Sequence, residues 1–127
     1  MVLALCASAL AGCKKSPKPS VPAFPDATPL ASGGNVELPE ATVFHVILRS
    51  MDHAGPVLRY YEPEMTKRGA SRHGDVYQDD NLVHSGTPFT QDSSATPKDP
   101  TRPGVWLAVT EFGNETRIDI WESVPKR

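Results

Sequence analysis

The dipeptide Gly113-Asn114 lies between two runs of alternating apolar and polar residues, and it constrains the fold more than any other feature of the chain. Glycine in the first central position suits a two-residue hairpin turn, because that position takes a positive φ. The turn then settles what lies opposite what: Phe112 faces Glu115, Val109 faces Ile118, Leu107 faces Ile120 and Trp106 faces Trp121. Side chains alternate along each strand, so Val105, Leu107, Val109, Ile118 and Ile120 make one apolar face. The other face carries Trp106, Ala108, Thr110, Phe112, Arg117, Asp119 and Trp121, and the core is expected on the first.

A core of this kind needs a partner layer, and residues 43–69 supply one. Val43 to Ser50 reads as a strand with Phe44, Val46 and Leu48 on one side and Val43, His45, Ile47 and Arg49 on the other, apolar enough on both to be central. Val57, Tyr61 and Met65 then recur every four residues, flanked by Leu58 and Tyr60, which predicts a helix capped by Ser50 or Asp52 and ended by Gly69. Pro56 falls in the first turn at little cost. Pro63 lacks the N–H that would bond Arg59, so a kink or an early end is expected there. Val76, Tyr77, Leu82 and Val83 suggest two short strands around a turn at Asp79–Asn81, and the Pro-rich residues 86–104 read as a long disordered loop. The fold class is α+β: one kinked helix on an antiparallel sheet of four or five strands, closing in the C-terminal hairpin.

At the other end, Val2 to Ala11 is an apolar run of ten residues. It is too short for a membrane helix of about 20 residues and suits the apolar stretch of an export signal. No basic residue precedes it, which leaves room for a start upstream of Met1. The tetrad Leu10-Ala11-Gly12-Cys13 resembles the lipobox of bacterial lipoproteins. The resemblance implies a signal peptide over 1–12, cleavage between Gly12 and Cys13, and a palmitate-type lipid anchor on Cys13. With Lys14 rather than Asp after the cysteine, it implies the outer membrane, facing the periplasm or the cell surface. Cys6 would leave with the signal, so no disulfide is expected. Residues 13–30 hold five prolines and read as a tether that could hold the domain up to roughly 50 Å from the bilayer at about 3.1 Å per residue; residues 31–127 read as the single domain.

Phe24-Pro25-Asp26-Ala27, the strand, Met51-Asp52, and then Val57, Tyr60-Tyr61, Met65 and Gly69 follow an order similar to that in a group of uncharacterised bacterial lipoproteins. Asp26 replaces a glycine of that pattern, and His53-Ala54 replaces Ser-Pro. The likeness implies an α+β domain on a lipid anchor and brings no catalytic residue with it.

Chemistry-bearing patterns are sparse. A net charge of −2 gives no basic field to draw nucleic acid. His45, His53, His73 and His84 lack the close spacing of metal ligands on one helix, and Asp75, Asp79 and Asp80 lack the pattern of a calcium loop, so neither metal nor cofactor is expected. Ser50 and Ser85 sit in no nucleophile elbow, and Glu62 and Glu64 would point about 160° apart on a helix. Trp106 and Trp121, with Phe112 and Arg117, allow two readings: cross-strand packing beneath another segment, or an open patch that binds a protein. The expected role is a non-enzymatic binding or accessory module of the envelope, recruiting an envelope protein through that face or through residues 86–104. The alternative is a small periplasmic enzyme or ligand-binding domain.

Overall fold

A computed structural model describes residues 17–32 and 34–126. Gly12 and Cys13, with the expected signal peptide and lipidation site, lie outside the described residues. Among the described residues, nine strands and one helix follow in order: β1 (Thr28–Ser32), β2 (Val36–Glu37), β3 (Ala41–Ser50), α1 (Ala54–Lys67), β4 (Ser71–His73), β5 (Val76–Gln78), β6 (Leu82–Ser85), β7 (Ser94–Pro97), β8 (Gly104–Phe112) and β9 (Glu115–Pro125). Seven strands form one antiparallel sheet in the order β1-β3-β9-β8-β5-β4, with β2 also paired to β3. The remaining two, β6 and β7, pair only with each other. The molecule is therefore α+β, but four or five strands were too few. The extra ones are short edge pieces and a four-residue strand among prolines, too short for alternation to mark them and extended by their pairing.

The hairpin has the expected register, from Phe112 opposite Glu115 to Trp106 opposite Trp121, and Gly113 takes φ +62°. Its first face packs on α1: Val105, Leu107, Val109, Ile118 and Ile120 join Val57, Leu58, Tyr61 and Met65 in one buried cluster. The strand over 43–50 is central, between β9 and β1.

Neither Ser50 nor Asp52 caps α1. His53 occupies the cap position without a side-chain bond, and the N–H of Ala54 is met at 2.8 Å by Glu111 from β8, so the cap comes from the sheet. The helix also runs on past Pro63 to Lys67. Tyr61 and Met65, both fully buried, hold the chain to the sheet on either side of the missing bond. Gly69, at φ +80°, ends it as expected: its N–H reaches Thr66 and that of Ala70 reaches Met65, the paired bonds of a Schellman turn.

Two expectations about connections fail. The strands either side of Asp79–Asn81 do not pair; β5 joins β4 and β8, whereas β6 leaves the sheet. One carboxylate oxygen of Asp79 accepts the N–H groups of Asn81 and Leu82, both at 2.9 Å, and the other accepts Val105 N–H at 3.1 Å, pinning the turn to the start of β8. The region 86–104 is not a disordered loop either, since it contains β7 and places Ala95 in a second buried cluster.

The tether is likewise shorter than expected. Phe24 is buried against the α1 cluster, Tyr61 donates its hydroxyl hydrogen to Pro22 O at 2.8 Å, and Thr28–Ser32 forms β1. Proline-rich composition misleads here because the segment is held by side chains from elsewhere in the chain. Among the described residues no helix is long and apolar enough to cross a membrane.

Candidate functional site

The second face of the hairpin gathers the densest polar chemistry of the described chain. Pairing of β3 with β9 sets His45 opposite Trp121, which in turn faces Trp106. The His45 ring stacks on Trp121 at 3.8 Å between centroids, and His84 from β6 stacks on Trp106 at 3.7 Å, each within 6° of parallel. Above them lies the β6–β7 hairpin, whose Leu82 and Ala95 complete a buried cluster with Val43, Ala108 and both tryptophans.

One hydrogen-bond direction follows from donor counting. Trp121 Nε1 can only donate, so Ser93 Oγ accepts from it at 3.0 Å, and the same hydroxyl is hydrogen-bonded to His84 Nε2 at 2.8 Å. Burial, aided by the nearby His45, pushes the His84 imidazole below its ordinary range and favours the neutral ring, against the opposing pull of Asp119. Asp119 is 0% exposed; its carboxylate meets His45 Nε2 at 2.6 Å and the N–H of Phe89 at 2.9 Å. Phe89 sits at φ +68°, a conformation that costs a bulky residue about 1–3 kcal/mol, and the bond to Asp119 helps to hold it there.

Of the two readings of Trp106 and Trp121, cross-strand packing beneath another segment is the one the structure shows, and the open patch is absent. They are 5% and 4% exposed, because residues 82–97 fold over them. The segment 86–104, expected to recruit a partner as a loose loop, in part supplies that cover. Phe112 and Arg117 differ, for they lie at the uncovered end of the same face: Phe112 is 43% exposed, with the Arg117 guanidinium 5.0 Å from its ring centroid and Phe89 edge-on at 5.5 Å. Arg117 Nε also donates to Glu115 at 2.7 Å.

Sequence reasoning placed Asp119 and His45 each on one side of its own strand but did not join them to His84 and Ser93. Alternation in 43–50 marked the side on which His45 lies; nothing local marked which strand it would meet. Ser93 had no signal at all, since it depends on the β6–β7 pairing.

On the helix side, a groove of about 360 Å³ runs between Pro19, Val21, Phe44, Val46, Ile120 and Glu122. That is at the small end of the range for ligand pockets, roughly 300–1,000 Å³. Its carboxylate is already engaged, since Glu122 accepts the N–H groups of Ser20 and Val21 at 2.8 and 3.0 Å. No group of three or more His, Cys, Asp or Glu side chains among the described residues is arranged to hold a metal ion. No family model, curated protein or solved structure matches the chain.

Proposed function

We propose that this chain is a lipid-anchored lipoprotein of the bacterial envelope, held at the outer membrane through Cys13, that works by binding a partner protein. The observation favouring binding over chemistry is the closure of the polar cluster: Asp119 is inaccessible, Ser93 is 9% exposed, and every hydrogen bond named above has its partner inside the domain. What remains outside is the end of the hairpin, where Phe112 and Arg117 present an aromatic ring under a guanidinium, a pairing common at protein contacts. Met51, largely exposed just beyond β3, adds apolar surface at that end of the sheet, where Ser50 pairs with Thr116.

The test places a photo-crosslinking side chain at Phe112 of the full chain in its native membranes, with a second at Val83, also exposed but on β6. A discrete adduct at 112 that is missing at 83 supports the reading. Equal adducts, or none, overturn it. The anchor is tested by the mass of the N-terminal peptide, which should carry a diacylglyceryl group on Cys13 and lose it in Cys13→Ser.

A hydrolytic reading is favoured by the Ser93–His84 bond alone. It requires Ser93 to react with an activated fluorophosphonate. With the hydroxyl covered and already accepting from Trp121, no labelling is expected in the folded chain.

A further inference from the structure

Contacts with Glu122, Arg68, Tyr61 and the α1 core make residues 20–24 a fixed strap instead of the start of a free tether. Glu122, nearly buried at the centre, takes the N–H groups of Ser20 and Val21 and the Ser20 hydroxyl hydrogen, and Arg68 Nη1 approaches it at 3.4 Å. Arg68 also donates to Ser20 Oγ at 3.0 Å while Glu64 holds its Nε at 2.8 Å. Tyr61 holds Pro22, and Phe24 enters the core edge-on to Tyr60 at 5.2 Å. The strap therefore runs antiparallel to α1, and the chain leaves the domain beside the C-terminal end of that helix.

Only residues 14–19 separate Cys13 from Ser20. Fully extended, seven Cα steps reach at most about 25 Å, half the span expected of the whole proline-rich segment. The opposite end of the domain is equally defined. Glu111 caps the N-terminal end of α1, and the turn at Gly113-Asn114 lies eight residues along β9 from Glu122, about 27 Å of strand. Exposed Lys67 and Lys18 lie at the strap end, where Glu64 offsets part of their charge. The covalent restraint, more than charge, sets the orientation.

We propose that the strap seats the C-terminal end of α1 against the headgroups of the anchoring bilayer and points the Phe112 end away from it. This rests on lipidation of Cys13, and the lipid surface is the partner that the strap end meets.

The test uses the full lipidated chain with Cys6 absent from the mature form, labelled at Thr66→Cys or at Asn114→Cys, in phosphatidylethanolamine–phosphatidylglycerol vesicles carrying a headgroup energy acceptor. Both positions are exposed, one at each end. Transfer several-fold higher from residue 66 than from residue 114 is expected. Ten Gly/Ser residues inserted between Pro17 and Lys18, which leave the fold untouched, should remove the difference. Equal transfer from the two labels without the insertion overturns the strap. An N-terminal peptide lacking lipid mass instead removes the reading on which it rests, and the proposal falls with it.

Discussion

Trp121 serves three purposes at once: its ring stacks on His45, it fills the second core cluster, and its N–H donates to Ser93, the hydroxyl that also bonds His84. Truncation to alanine should cost about 3–5 kcal/mol in urea unfolding, in the range for large aromatic side chains. Trp121→Phe should cost less and leave Ser93 with one bond. His84 sets a pH dependence. Its folded pKa lies below the ordinary 6.5, so the unfolded chain binds more protons between the two values. Stability from this group is full above about pH 6.5 and is lost as pH falls through that value toward the folded pKa. Melting temperatures at pH 7.5, 6.0 and 5.0 should show that decline, and His84→Gln, which can still hydrogen-bond Ser93 but does not titrate, should flatten it. The two tryptophans were legible as an opposed pair, because register follows from the turn. Burial beneath another segment was one of the two readings open to them, but which segment covers them was not legible, because its residues are 9 to 39 positions away.

At the scale of elements, the β6–β7 hairpin is the cover that converts an exposed sheet face into a core. Gly86 makes its tight return: a Cβ there would lie 1.9 Å from Asp92 O, and φ is +84°. Gly86→Ala should therefore destabilise the domain by more than about 1 kcal/mol and shift tryptophan emission to the red as residues 86–93 lift. Helix α1 shows a different division. Its apolar stripe and glycine stop are local and were readable, whereas its start depends on Glu111, 57 residues from Ala54. Glu111→Ala should cost about 1 kcal/mol, as for loss of an N-cap side chain, with faster amide exchange in the first turn as the readout. Pro63 does not bring the early end, one of its two expected effects, because a missing backbone bond matters less when Tyr61 and Met65 are clamped by the sheet.

Across the whole molecule, the boundary drawn at residue 31 cuts through the structure. A chain starting there lacks Phe24, the contacts of Ser20 and Val21 to Glu122, and part of β1. It should lose cooperative thermal unfolding and its near-ultraviolet dichroism, while a chain starting at residue 17 keeps both. Without the strap, Glu122 would be left with Arg68 alone, and part of the α1 core would meet water. The amino-acid sequence by itself determined the C-terminal hairpin, its register, its two faces, the helical stripe and the glycine that ends it. All of these rest on interactions within a few residues or on side-chain alternation carried across a two-residue turn. Only the tertiary structure decided which segments cover the tryptophans, which strand His45 meets, what caps the helix, and where the tether stops being free. Each of those depends on partners tens of residues apart, and a carboxylate such as Glu122 or Asp119 carries no mark in the sequence of the backbone N–H it will hold.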